Sequence, residues 1–239
     1  MKAIIVGATS GIGLELARAL HRKSWQLGLA GRRADNLEQI RQELGDDVVV
    51  EPMDITKEDA SDHFHALIDK LGDIDLYFHA SGIGSQNVDL NSDIELNTMQ
   101  TNCVGMTRMV NLAYHYFVSN HKKGHIAVIT SVAGTKGIGL APAYSSTKRF
   151  QTAYLQALSQ LFKTKNRNID ITEIRPGFVD TAILNHHYPM MMKPDYVAEK
   201  IVKAIEKRKR CVTIDWRYRC VVFFWRLIPN WIWERIKLG

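Results

Sequence analysis

Short β-branched and aliphatic runs recur along the chain between longer stretches of helical spacing: KAIIVG, WQLGLAG, VVVEPM, IDLYFHA, HIAVIT, IDITEI and CVTIDW. Each has strand length and ends near glycine or polar residues, so the pattern predicts seven strands. In the stretches between them apolar positions return every three or four residues. Over 11–22, Ile12, Leu16, Ala19 and Leu20 share one side, while Glu15, Arg18 and Arg22 fall elsewhere. Such alternation predicts βαβ units with right-handed crossovers and a parallel sheet covered on both faces. The expected fold class is α/β, a doubly wound seven-stranded parallel sheet with helices on both faces. No linker, repeat or composition break precedes about residue 215. Residues 1–215 are therefore read as one domain and 216–239 as a separate basic, aromatic, amphipathic helical segment.

Composition agrees with a packed core: 46% of the 239 residues are hydrophobic, 23% are charged and six are proline,. Cys103, Cys211 and Cys220 are odd in number and lack metal-ligand spacing, so free thiols in a reducing compartment are expected,. The opening Met1-Lys2 leads into AIIVGA, too short for a secretory apolar region, which predicts a first strand and a cytoplasmic protein,. Charge is unevenly spread. Residues 206–239 hold nine Lys/Arg against Glu206, Asp215 and Glu234, so this segment carries the whole net charge of +6 and also four of the five tryptophans,.

The first predicted strand ends in Gly7-Ala8-Thr9-Ser10-Gly11-Ile12-Gly13 and a helix begins at once. Glycines there allow a tight turn and close approach of the backbone to a pyrophosphate, whose charge is stabilised by free N–H groups at the helix start. With Thr9, Ser10 and Ile12 between the glycines, the loop is a dinucleotide cradle of Rossmann type; no G-K-[ST] ending supports a nucleoside triphosphate. The second strand ends in Ala30-Gly31-Arg32-Arg33, without the carboxylate that accepts from a ribose 2′-hydroxyl. Arg32 and Arg33 suit a 2′-phosphate, because guanidinium holds phosphate bidentately, and NADP(H) is expected over NAD(H).

Further motifs follow in order: MDIT at 53–56, HASG at 79–82, TNCVG at 101–105, TSVAG at 130–134, YSSTK at 144–148 and RPGFVDT at 175–181. Together with the glycine loop they make the chain resemble the short-chain dehydrogenase/reductase family over roughly residues 1–215. On a helix, Tyr144 and Lys148 share a face. A phenol alone is too weak an acid, with a pKa of about 10. An ammonium on that face, beside an oxidised nicotinamide, favours the phenolate and moves the phenol toward the working range. Tyr144 is thus the candidate general acid for reduction and general base for oxidation.

The resemblance implies further roles. Lys148 holds the nicotinamide ribose, Ser131 hydrogen-bonds the substrate carbonyl, and Asn102 anchors a water in the proton relay. Asp54 hydrogen-bonds the adenine and Ile55 lines its pocket. Pro176 and Gly177 pass under the nicotinamide, and Val179 and Thr181 meet its carboxamide. The backbone of Ala80, Ser81 and Gly82 runs beside the cofactor. Where the family commonly has N-N-A-G, this chain has His79-Ala80-Ser81-Gly82, so an asparagine that braces the sheet is replaced by Ala80. His79 reads as a strand-end residue and Asp180 as a turn acid.

After RPGFVDT comes AILNHHYPMMMKPD, where the family closes over substrate. Ile183, Leu184, Tyr188 and Met190 to Met192 form an adaptable apolar cover, which points to a hydrophobic or lipid-linked substrate; packing on the body is the other reading. His186 and His187 have no third metal ligand nearby in sequence, and no metal is expected. The tail RYRCVVFFWRLIPNWIWERIKLG has no uncharged run near the ~20 residues a spanning helix needs,. Two short helices broken at Pro229 place Val221, Phe224, Trp225 and Ile228, then Trp231, Ile232 and Ile236, as apolar stripes beside basic residues. That pattern suits the headgroup region of an anionic membrane surface. Packing against another subunit is the alternative, since the resemblance implies a homodimer or homotetramer; nucleic acid is not expected. The chain so read is an NADP(H)-dependent oxidoreductase interconverting a carbonyl and an alcohol. An idle NADP-binding sensor or scaffold that uses its tail stands beside it.

Overall fold

Ala3 and Ile5 of the first strand face one side of the sheet, Ile4 and Val6 the other, and all four are buried,. A strand apolar on both faces belongs inside a sheet covered twice. The computed structural model, which describes residues 1–181 and 188–237, has that arrangement. Its first half is β1 (Lys2–Val6), α1 (Gly11–His21), β2 (Gln26–Gly31), α2 (Ala34–Leu44), β3 (Val48–Pro52), α3 (Ala60–Leu71) and β4 (Leu76–His79). Its second half is α4 (Ser92–Met99), α5 (Met106–Ser119), β5 (Gly124–Ile129), α6 (Pro142–Thr164), β6 (Ile169–Arg175), α7 (Pro194–Glu206) and β7 (Cys211–Thr213). Beyond them lie α8 (Trp216–Leu227) and α9 (Asn230–Trp233).

The seven strands are all parallel, in the order β3-β2-β1-β4-β5-β6-β7. The chain winds outward first through β2 and β3 and then, from β4, the other way, so β1 and β4 flank the point where the order reverses. A cleft opens there beyond the carboxyl ends of the strands. One face packs α1, α2 and α7, with Leu16, Leu20, Leu37, Ile201 and Val202 in the core; the other packs α3, α5 and α6, with Phe64, Leu67, Val110, Leu155 and Phe162. Each such side chain contributes about 1.5–3 kcal/mol by leaving water.

Two local features shape the cleft. Between α4 and α5 residues 100–105 wind as a π-helix, a widened turn that buries Asn102 completely,. At the far edge, CVTIDW yields only three strand residues, because Asp215 takes a positive φ of 71° and caps the next helix through Arg217 N–H. The tail differs from its predicted faces. In α8 Tyr218 and Val222 are buried, while Phe223, Phe224 and Leu227 are exposed; Trp225 leans inward on buried Trp233, ring centroids 5.1 Å apart. The body selects the 218/222/225 side because Trp233 Nε1–H donates to the Gly137 carbonyl at 2.6 Å and pins α9 to the loop before α6. Among the described residues no helix is long and apolar enough to cross a membrane.

Candidate active site

The glycine loop leaves β1 and doubles back at once. Gly7 N–H and Ala8 N–H both donate to the Ala30 carbonyl at the end of β2, and Gly7 has φ of 90°. A Cβ on Gly7 would lie 2.5 Å from Ser81 N, and one on Gly13 would lie 2.2 Å from the Gly7 carbonyl. Bare backbone is therefore required at both places, and it brings the loop against Ala80 and Ser81 after β4. A Cβ on Gly13 would also lie 3.2 Å from the Ala80 Cβ, so the glycine is what lets the start of α1 approach the chain after β4.

Ser10 stands at the N-cap of α1 without capping it, and the first turn contains no acid. Arg33 instead donates to Thr9 Oγ1 and Ser10 Oγ, both at 2.8 Å from its terminal nitrogen, and so hangs over the loop. Arg32 lies toward Asp54. Burial works against ionisation of that carboxyl, but Thr56 N–H and hydroxyl, 3.0 and 2.8 Å away, with the charges of Arg32 and Lys57 hold it below the ordinary range. Ile55 is buried against Gly105 of the π-helical turn. The uncapped helix start and the bare glycines fit the pyrophosphate of a dinucleotide.

On the other side of the cleft, Ser131 follows β5, and Tyr144 and Lys148 stand on α6. Gly84 is required by the ring of Tyr144, since a Cβ there would come within 2.4 Å of it. The Lys148 nitrogen lies 5.6 Å from the Tyr144 ring centroid. Burial raises the Tyr144 phenol above its ordinary pKa, and the hydroxyl of Ser131 opposes that rise. The same burial lowers Lys148 to about 8, with Cys103 acting in the other direction. In this state desolvation dominates and holds Tyr144 toward the protonated phenol.

Lys148 is 4% exposed and donates to the Ile129 carbonyl at 3.4 Å and to Gln151 Oε1 at 3.1 Å. Gln151 Nε2 in turn donates to the Asn102 carbonyl at 2.8 Å. A side chain thereby links the lysine to the asparagine backbone. The amide of Asn102 is engaged elsewhere: it accepts from Ile83 N–H at 2.9 Å and donates to the Ile83 carbonyl at 2.7 Å and Thr147 Oγ1 at 3.1 Å. Asn102 is thus a brace between the loop after β4 and α6. Gln151 was missed from the sequence, although its spacing of three from Lys148 on a helix was the available signal.

The loop from 176 closes the cleft. Pro176 accepts from Val132 N–H at 3.0 Å, Val179 bridges to Met192, and Thr181 packs on Gly11. Gly177 lies flat against the ring of Tyr218, whose hydroxyl accepts from Phe178 N–H at 3.0 Å and donates to the Met190 carbonyl at 3.1 Å. Phe178 and Tyr188 stack, centroids 4.4 Å apart. Ile183, Leu184, His186 and His187 lie outside the described residues. His79 is buried with its Nδ1 2.7 Å from the Tyr77 hydroxyl, and burial and then Lys148 lower it to about 3, so it is neutral.

A family model for short chain dehydrogenases matches residues 1–191. An uncharacterized oxidoreductase of Myxococcus xanthus is 29% identical over 237 residues, covering 95% of this chain and 92% of its own length. A 3-ketoacyl-(acyl-carrier-protein) reductase from Brucella melitensis, complexed with NADH, is similar in structure with a TM-score of 0.81 at 22% identity, over 90% of this chain and 96% of that one. An alcohol dehydrogenase from Thermococcus sibiricus, complexed with 5-hydroxy-NADP, gives a TM-score of 0.75 at 27% identity, over 89% and 95%.

Proposed function

The chain belongs to the short-chain dehydrogenase family, and from that premise we propose that it is an NADP(H)-dependent reductase of a hydrophobic ketone or aldehyde. The observation that carries this reading is the pair of half-buried Tyr144 and buried Lys148 beside Ser131, in the cleft that the glycine loop enters. Gly7 to Gly13 would hold the pyrophosphate and Arg32 and Arg33 the 2′-phosphate; Asp54 and Ile55 would receive the adenine, and Lys148 the nicotinamide ribose. Ala80, Ser81, Gly82 and the 176–181 loop would line the nicotinamide. The bound dinucleotide supplies the hydride.

The remaining steps belong to the protein. Ser131 Oγ–H donates a hydrogen bond to the substrate carbonyl oxygen and fixes it before the tyrosine. As charge develops on that oxygen, the Tyr144 hydroxyl donates its proton. A phenol that burial keeps protonated is suited to this direction, and the Lys148 ammonium limits the penalty of the resulting phenolate. Gln151 holds the ammonium in place and joins it to the Asn102 carbonyl. Partly exposed Phe178 and Met190, with Tyr188 stacked on Phe178, give the cleft an apolar cover, which supports a hydrophobic substrate.

The test is NADPH oxidation against a panel of apolar ketones and aldehydes. Tyr144→Phe is expected to lose about 10²–10⁴ in turnover, the usual range for a positioned acid, with NADPH affinity unchanged by fluorescence titration. Retained turnover in that variant would overturn the assignment.

A further inference from the structure

A groove with a volume of about 330 Å³ lies away from the cleft, at the edge formed by α7, β7 and α8. Its cations are Lys200, Lys203, Lys207, Lys209 and Arg219. Lys200 and Lys203 share one face of α7, and Lys207 at its C-cap continues that spacing,. The carboxylates nearby are already engaged: Asp215 pairs with Arg217 at 2.8 Å and Glu206 with Lys23 at 2.8 Å. Lys200 stands over the ring of Tyr196 at 5.0 Å. The result is a basic trough with one aromatic wall from Tyr196 and another from Trp216.

Trp216 also begins a stripe on α8. With Cys220, Phe223 and Leu227 it falls at helical positions on one side, opposite the Tyr218 and Val222 that pack on the body. Trp216, Phe223 and Leu227 are 67%, 59% and 64% exposed, and Phe224 and Trp231 beside them are exposed as well. Arg219 and Arg226 flank this stripe. An exposed aromatic and aliphatic row of this size marks an interaction surface. Bordered by arginines that can reach outward along their apolar stems, it has the form of a helix that lies in a membrane interface. Trp216 and Arg219 belong to both the trough and the stripe, so the two make one continuous surface.

We propose that this surface docks the protein on an anionic lipid bilayer. The trough receives headgroup phosphates, while Trp216, Phe223, Leu227 and Trp231 enter the headgroup and upper acyl region. Charge complementarity selects this occupant: five clustered cations beside an apolar row match a negative surface with hydrocarbon beneath it, whereas a second copy of the same face would oppose like charges. Docking also engages the cleft cover, because Tyr218, on the inner side of α8, holds the backbone of Phe178 and Met190.

The proposal is tested by flotation of the full chain with phosphatidylcholine vesicles and with vesicles of which about one third is phosphatidylglycerol. Wild type is expected to float with the anionic vesicles only, and less in high salt. Lys203→Glu/Lys207→Glu and Phe223→Ser/Leu227→Ser are each expected to reduce the bound fraction at least about tenfold; all four positions are exposed or at the rim, so unchanged Tm confirms folding. Both variants should keep wild-type NADPH oxidation in solution, and Tyr144→Phe should still float, which separates this proposal from the catalytic reading. It is overturned if wild type does not float with anionic vesicles, or if both double variants float as wild type does. It is equally overturned if sedimentation shows the Phe223→Ser/Leu227→Ser variant dissociating from an oligomer while no form binds lipid, the result for a face between subunits.

Discussion

Gln151 does for Lys148 what the four-residue spacing to Tyr144 cannot: it accepts from the ammonium and ties it to the Asn102 carbonyl. Tyr144, Lys148 and Ser131 were legible in the sequence because their chemistry is specific and their motifs come in order. Gln151 was not, because a glutamine on a helix has no signature until the opposite wall is known. The two arginines after β2 read in the sequence as candidate phosphate ligands, and Arg33 hangs over Thr9 and Ser10. Arg33→Ala is expected to weaken NADPH binding about 10–100-fold, the value of a lost charge-assisted hydrogen bond or two, and to leave NADH nearly unaffected. Fluorescence titration with both nucleotides checks this, and an equal loss for each would refute the phosphate role.

At the level of elements, the alternation of apolar runs gave the parallel sheet and its seven strands, and the glycine loop marked where β1 meets α1. The faces of α8 were not legible. Both sides of that helix are apolar, so periodicity offered several stripes, and only the contact of Tyr218 with Gly177 and of Trp233 with Gly137 decides which one packs inward. The π-helical turn at 100–105 was equally hidden, since one added residue leaves no compositional trace,. Tyr218 now reads as the rivet between α8 and the cleft cover. Tyr218→Phe keeps the ring and leaves the Phe178 N–H without its partner, a loss of about 1–3 kcal/mol. For a chain of this length that lowers Tm by roughly 2–12 °C. KM for an apolar carbonyl should rise more than kcat falls, because the cover is loosened while Tyr144 is untouched; equal changes in both would point to general unfolding.

Across the whole molecule, the two halves of the sheet divide the work. In the proposed function the β1–β3 half would present backbone amides and arginines to a dinucleotide, and the β4–β6 half the phenol of Tyr144 and the Lys148 ammonium. Residues 206–239 carry the whole net charge, on the edge that carries the proposed lipid surface. The central claim is that a buried, charged Lys148 is what allows Tyr144 to act as an acid. Burial depresses Lys148 to about 8, so its ammonium is present below that pH and lost as pH rises through it. The pH profile of kcat/KM for carbonyl reduction, which reports ionisations of the free enzyme, is the most direct measurement. The wild type should hold a plateau on the acid side and decline above about pH 8. Gln151→Leu, lacking an acceptor for the charged form, should decline at a lower pH. A profile flat to well beyond pH 9, or a limb that does not move in Gln151→Leu, would contradict it.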